Sequence, residues 1–437
     1  MYLYEFNCVK NSKSHSCACL TLPCNYLKGM LNIRNHFHIF ILFADGLVVC
    51  WSLLSFCLNR HEVSLVENIA QHIHRKLVPK LSSCTENLVG IVSKVEEVNK
   101  FLGMGLNDVR FIGIWGMGGI GKSTIARAVY EAIRCEFQLT CFLENVREIS
   151  ETNGLVHIQR QLLSHLSISR NDFHDLYDGK KTIQNSLCRK KVLLVLDDVN
   201  ELNQLENLVG KQDWFGPGSR VIITTRDKHL LMTHGVHRTY KSGMLCKNDA
   251  LALFCLKAFK GNQPQEGYLD LSKEVVDYTG GLPLALEVLG SYLYGRSVDV
   301  WHSAIKKIRS VPHPRIQDKL KISYESLDPM EKDIFLDIAC FFKGMKRDNI
   351  MDILESCGHF PQIGIEILIE RSLITLDSVN NKLGMHDLLQ EMGRNIVFQE
   401  SPNDPCRRSR LWAQEDIDCV LTKNKVLVGV NISATVG

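Results

Sequence analysis

The densest chemistry in the chain lies in "GMGGIGKST", residues 116–124: Gly116, four residues, then Gly121, Lys122 and Ser123. That is the spacing of a loop that wraps phosphate in main-chain N–H groups. Glycine at Gly116, Gly118, Gly119 and Gly121 permits turns that a side chain would hinder, and Met117 and Ile120 complete the loop. A helix beginning near Lys122 aims its unpaired amides at the same anion. The Lys122 ammonium suits the β and γ phosphates, the Ser123 hydroxyl suits Mg2+, and Thr124 suits the α phosphate. A dinucleotide fingerprint is the rival reading, and the Lys-Ser pair argues against it.

A second cluster supplies the carboxylates such a site needs. "KKVLLVLDDVN", residues 190–200, is an apolar run ending in Asp197 and Asp198. At the carboxyl end of a buried parallel strand, Asp197 is expected to hold Mg2+ through water, and Asp198 to orient or deprotonate an attacking water. "GPGSRVIITTRD", residues 216–227, reads as a further strand that delivers Arg226, expected to sense a γ phosphate. These three residues, Asp197, Asp198 and Arg226, are the candidate catalytic set. A surface ion pair is the plainer alternative for Arg226.

Hydrophobic pattern predicts the scaffold around them. "FIGIWG" before the glycines has strand composition, and "TIARAVYEAI" after them places Ile125, Val129 and Ile133 on one helical face. "ELNQLENLVG" reads as the crossover helix between the acidic strand and the Arg226 strand. Residues 88–240 are thus expected to form a nucleotide-binding α/β domain. Downstream, "GGLPLALEVLGSYL" starts a helix at Pro283, and Pro329 separates two helical patterns whose Leu336, Ile338, Ala339, Phe341 and Phe342 read as core. From the residues alone His386 reads as a helix cap or satisfied polar group.

Several blocks, in order, resemble the NB-ARC module of plant intracellular immune receptors of the STAND class of P-loop NTPases, in the branch that carries a TIR domain. They are "NLVGIVSKVEEVNKFL" at 87–102, "GMGGIGKST", "FLENVRE" at 142–148, "LLVLDDV", "GSRVIITTRD", "GLPLAL" at 281–286, "FLDIACFFKG" at 335–344 and "GMHDLLQEMGR". Many relatives carry Thr where this chain has Ser123, a change that keeps the hydroxyl. The resemblance implies a P-loop parallel sheet with helices on both faces, then an all-helical subdomain and a winged-helix subdomain. It implies boundaries at 61–86 for a linker helix, 87–240 for the nucleotide domain, 241–312 and 313–400 for the two subdomains, and 401–437 for a linker towards leucine-rich repeats. It makes Pro283 an adenine or ribose contact and brings His386 to the β phosphate of ADP, with Asp387 holding the turn. The implied function is an ADP/ATP switch in plant defence, with ADP resting, ATP active and slow hydrolysis as the reset. The alternative is a truncated adaptor or decoy that binds nucleotide and pairs with complete receptors. Implied partners are nucleotide, other immune receptors or signalling proteins, and further copies of the chain, in the cytoplasm or shuttling between nucleus and cytoplasm.

Composition sets bounds around this. The chain has 437 residues, is 45% apolar and 23% charged, and carries a formal charge of +3. That length predicts roughly two to four compact units, and so balanced a charge gives no sign of a nucleic-acid partner. Six of its 16 cysteines fall in residues 1–60, without common zinc-knuckle spacing, and the rest are scattered as free thiols would be. Residues 1–60 read as a segment foreign to the rest of the fold. Residues 37–58 are long and apolar enough for a membrane helix or a buried one. "SLVENIAQHIHRKLVPKL", from residue 64, reads as an amphipathic linker helix. No TIR-like sequence and no leucine-rich repeat series is visible. The basic run Cys406–Trp412 reads as a solvated loop with Trp412 packed down.

Overall fold

The computed structural model describes residues 29–33, 37–41, 89–166, 173–422 and 431–432. The chain divides into two compact units, Met1–Leu77 and Val78–Gly437. In the first, β1 (Gly29–Ile33) and β2 (Phe37–Ile41) form an antiparallel pair with Gly29 opposite Ile41. The start of the apolar stretch 37–58 is therefore strand, not helix. Residues 42–58 and the linker helix expected from residue 64 lie outside the described residues. Among the described residues no helix is long and apolar enough to cross a membrane.

The second unit opens with α1 (Val92–Leu102), β3 (Arg110–Trp115), α2 (Lys122–Ile133) and β4 (Leu139–Leu143). Helices α3 (Val146–Asn153), α4 (Leu155–His165) and α5 (Leu176–Leu187) lead to β5 (Val192–Val199). Then come α6 (Leu202–Leu208), β6 (Arg220–Thr225), α7 (Lys228–Thr233) and β7 (Arg238–Lys241). The five strands form a wholly parallel sheet in the order β4-β5-β6-β3-β7. Alternation divides each strand between two cores. Val192, Leu194, Leu196, Val221 and Ile223 pack on α4–α6, whereas Leu193, Val195 and Ile222 pack on α1 and α2. Burial on both faces explains why β5 is an unbroken apolar run rather than an alternating one.

The order has a functional consequence. β6 lies between β3, which feeds the glycine loop, and β5, which ends in the acid pair. The tip of β6 therefore emerges between them, which is where an open parallel sheet gathers its ligands.

Next along the chain are α8 (Lys247–Phe259), α9 (Leu269–Thr279), α10 (Pro283–Leu293) and α11 (Val298–Ser310). After them come α12 (Pro314–Glu325), α13 (Pro329–Asp337), α14 (Arg347–Ser356) and α15 (Pro361–Glu370). A short antiparallel wing, β8 (Thr375–Asp377) with β9 (Lys382–Gly384), precedes α16 (Asp387–Glu400). α13 starts with Pro329 behind a reciprocal cap: Glu331 N–H donates to Asp328 Oδ1 at 2.7 Å and Asp328 N–H to Glu331 Oε2 at 3.0 Å. Past α13 the backbone widens into a π turn over Ile338–Phe342, and Leu336, Ile338, Ala339 and Phe342 are buried as expected, with Phe341 half-buried.

One continuous core runs through α8–α13 and on into α16, and it takes in Met117 and Ile120 of the glycine loop. The loop's two apolar side chains are plugs in the downstream helices, which leaves its main chain free to face the edge of the sheet.

Beyond α16, β10 (Arg410–Leu411) precedes α17 (Gln414–Thr422). The basic run here is not the solvated loop its composition suggests: Arg408 and Arg410 are buried. Arg410 donates from Nε to Asp337 Oδ1 at 2.6 Å and from Nη2 to Asp333 Oδ1 at 3.1 Å, and Arg408 pairs with Asp416 at 2.7 Å. Charges enter the interior because each meets an acid there. Trp412 does pack against the core, and the nine described cysteines are free, as the sequence suggests.

Candidate nucleotide site

A cavity of about 420 Å³ opens between the carboxyl edge of the sheet and the downstream helices. Val89, Ile91, Leu245, Leu253 and Pro283 supply apolar lining, beside Lys94, Lys257 and Glu287. Gly119–Thr124, Asp198, Arg226 and Lys319 supply polar lining, Arg226 donating to the Lys319 carbonyl at 2.9 Å.

The glycine loop ends in a bare helix start. Gly121 caps α2 in a left-handed conformation, with φ +92° and no side-chain acceptor for the first-turn amides. A Cβ built there would meet nothing within 4 Å, so the approach to these amides is open. Gly119 is also left-handed, at φ +80°, and has no room for a side chain because Leu284 stands 2.6 Å from where its Cβ would be. The Leu284 N–H donates to Gly119 O at 3.1 Å, so the first turn of α10 caps itself on the loop. Ser123 and Thr124 are exposed to the cavity.

Lys122 is buried and donates from Nζ to the carbonyls of Gly116 at 2.9 Å and Met117 at 3.0 Å. Burial, with Arg226 nearby, pushes its pKa down to about 7. Uncapped amides, an open approach and a destabilised ammonium are together what a phosphate chain would satisfy, so the residues fit the group they imply.

At the acid pair β5 departs from regular register between Leu196 and Val199, and Asp198 adopts φ +59°, a left-handed conformation that Asp tolerates better than most side chains. The two carboxylates consequently face different partners. Asp197 is buried and accepts from the Thr224 hydroxyl at 2.5 Å; the same hydroxyl accepts from Asp198 N–H at 2.9 Å. Asp198 accepts from Arg147 Nε at 3.1 Å and lies 3.6 Å from Arg226 Nε. Burial alone would raise its pKa, but Arg226, Arg147 and Lys122 together hold it below the usual carboxylate range.

Arg226 is largely buried. It donates from Nη1 to Lys319 O at 2.9 Å and to Ser323 Oγ at 3.1 Å, both on α12. It also lies 2.7 Å from where a Gly118 Cβ would stand. The surface ion pair considered for it is thus replaced by a link from sheet to helix.

Pro283 lines the cavity and sits at the first position of α10. His386 does not line it. It caps α16, its Nδ1 accepting from Leu388 N–H at 3.2 Å, and its Nε2 is buried against Gly280 without a well-formed hydrogen bond. Burial lowers its pKa, opposed by Asp387. The expected cap is present, and one ring nitrogen is left over beside Gly280, three residues before Pro283. Asp387 forms an ion pair with Lys343.

Sequence reasoning did not single out Arg147, Thr224, Leu284, Lys319 or the segment Val89–Ile91. Arg147 stands just after β4 in a block that drew notice only as a whole. The role of Thr224 depends on which strand neighbours β5, and those of Leu284 and Lys319 on how the downstream helices fold back. None of these is a local property of the chain.

Comparison with known proteins agrees with the geometry. Residues 91–264 match the NB-ARC domain, and residues 328–401 match the winged-helix domain of Roq1-like disease resistance proteins. Disease resistance protein RPV1 of Vitis rotundifolia is 42% identical over 382 residues, covering 87% of this chain and 27% of that protein. TMV resistance protein N of Nicotiana glutinosa is 42% identical over 378 residues, covering 84% and 32%. Disease resistance protein RUN1 of Vitis rotundifolia is 42% identical over 367 residues, covering 84% and 27%. The chain spans about a third or less of the length of these curated relatives. It belongs to the NB-ARC family of plant disease resistance proteins, its NB-ARC domain followed by a Roq1-like winged-helix domain.

Proposed function

We propose that the chain is an ADP- and ATP-binding switch of plant defence signalling, with the diphosphate favouring the closed arrangement and the triphosphate an open one. The observation that carries this is the position of Arg226: one guanidinium touches the Asp198 carboxylate, the glycine loop's surroundings and two groups of α12. A charge arriving beside Arg226 competes with the α12 contacts, so the number of phosphates is coupled to the packing of the winged-helix part.

In this reading the α2 amides and Lys122 hold the phosphates, and Val89, Ile91, Leu253 and Pro283 enclose the base. Ser123 and Asp197 are the residues that would hold Mg2+, which when bound neutralises phosphate charge. His386 offers its unpartnered Nε2 to a β phosphate, a role that needs its ring to reach past Gly280 into the cavity. The test is calorimetric titration of wild type, Lys122→Ala and His386→Ala with ADP. Lys122→Ala should lose at least ~100-fold in affinity, and His386→Ala should release ADP faster. Equal affinity in Lys122→Ala sinks the reading; an unchanged off-rate in His386→Ala removes the histidine from it.

A second reading, a nucleotide-bound adaptor without turnover, is favoured by one feature. Asp198, pinned by two guanidiniums that hold its pKa below the usual carboxylate range, is a poor proton acceptor. Single-turnover phosphate release that vanishes in Asp198→Asn supports the hydrolysing switch. No release from wild type supports the adaptor.

A further inference from the structure

The end of α9 meets the start of α16 through two contacts. The Tyr278 hydroxyl donates to Glu391 Oε2 at 2.7 Å. Two residues on, Gly280 packs against the His386 ring, whose Nε2 lies 2.7 Å from where a glycine Cβ would stand. Tyr278 and Glu391 are both half-buried. Among the described residues theirs is the only hydrogen bond between two side chains that joins residues 241–312 to residues 313–400. The rest of that boundary belongs to the apolar core shared by α8–α13 and α16. Apolar packing is non-directional, so a hydrogen bond is what fixes the alignment of the two helices. Glu391 depends on its donor. Burial raises its pKa, the Tyr278 hydroxyl opposes the rise, and Asp387, one turn away on α16, adds to it.

Neither side chain lines the cavity, so the pair acts on a ligand only through what it holds in place. What it holds is the cavity wall. From Tyr278 the chain turns through Gly280 and Gly281, both left-handed at φ +56° and +76°. It then reaches Pro283, which lines the cavity, and Leu284, whose N–H donates to Gly119 O. Tyr278 thus stands at the root of the segment that closes on the glycine loop, and Glu391 fastens α16 behind it. We infer that the Tyr278–Glu391 hydrogen bond is a latch between the helical and winged-helix parts, and that it sets how fast a bound diphosphate is released. This rests on the proposed nucleotide-binding function and adds to it a hold to which no ligand atom contributes. Separation of α16 from α9 breaks this bond whichever nucleotide is bound, so its removal favours the open arrangement.

A double-mutant cycle tests the latch. Wild type, Tyr278→Phe, Glu391→Ala, the double variant and Glu391→Gln, each as the full chain, are loaded with a fluorescent ADP and chased with excess ADP. Each of Tyr278→Phe and Glu391→Ala should release the probe ~3–10-fold faster, and the double variant no faster than the quicker single one. Glu391→Gln keeps an acceptor oxygen and should stay within about twofold of wild type. An unchanged off-rate in Tyr278→Phe, even with a lowered melting temperature, would overturn the latch, as would losses that simply add in the double variant. Hydrogen exchange at Leu388–Gln390 in wild type and Tyr278→Phe without nucleotide gives a second readout. Faster exchange there in Tyr278→Phe is expected, and equal exchange counts against the latch. Wild-type chain that binds no ADP overturns the function on which the release rate rests, and the exchange measurement then decides the latch by itself.

Discussion

Lys122 shows how burial sets a lysine up to favour an anion beside it. Buried and close to Arg226, its ammonium is held at a pKa of about 7, and it donates to two loop carbonyls. Phosphate oxygens favour the charged form, so binding raises that pKa. Well below pH 7 the ammonium is charged with or without nucleotide and no proton moves. Between pH 7 and its ordinary value of 10.5 the free protein has lost the proton and the complex regains it. ADP binding at pH 8 should therefore take up close to one proton more than in Lys122→Arg, whose guanidinium stays charged and which cancels the nucleotide's own ionisation. Calorimetry in buffers of different ionisation enthalpy measures this; equal uptake in the two proteins would place the lysine's titration elsewhere.

Among the secondary-structure elements, the glycine loop is a hinge plate between α2 and α10. Its glycines are not equivalent, although the sequence presents them alike. Both Gly119 and Gly121 have left-handed backbones, yet a methyl at Gly121 enters open space whereas one at Gly119 strikes Leu284 at 2.6 Å. Gly121→Ala should cost about 1–2 kcal/mol from backbone strain alone, while Gly119→Ala adds overpacking worth about 2 kcal/mol more. Thermal melts of the two variants without nucleotide should rank Gly119→Ala clearly lower. Equal melting temperatures would mean that α10 does not rest on the loop.

On the largest scale, buried charge ties the winged-helix part to the β10 segment. Arg410 carries its guanidinium into contact with Asp337 and Asp333, with both Arg410 and Asp337 almost fully buried. Burial raises the Asp337 pKa, and Arg410 opposes the rise. Removing one partner leaves an uncompensated charge, so Arg410→Met should cost about 3–5 kcal/mol in urea unfolding. The double variant Arg410→Met with Asp337→Leu should regain most of that. A single variant as stable as wild type would show that the pair does not fasten this segment.

Short-range pattern was enough for the strand, glycine loop and helix in that order. Gly116–Ser123 lies between an apolar run and a helical pattern, and those are local properties that any fold of the chain must respect. The same pattern showed that β5 would be buried on both faces and would end in acids. What each acid and each cation contacts was decided only by long-range packing. The insertion of β6 between β3 and β5 gave Asp197 to Thr224 and brought Arg226 to Asp198. The return of α12 set Lys319 over a loop nearly two hundred residues earlier in the chain, and the return of β10 buried two arginines that composition alone reads as solvated. Each of these depends on pairing between segments far apart in sequence, where the energy of a charge is set by the neighbours that folding supplies rather than by its own residue type.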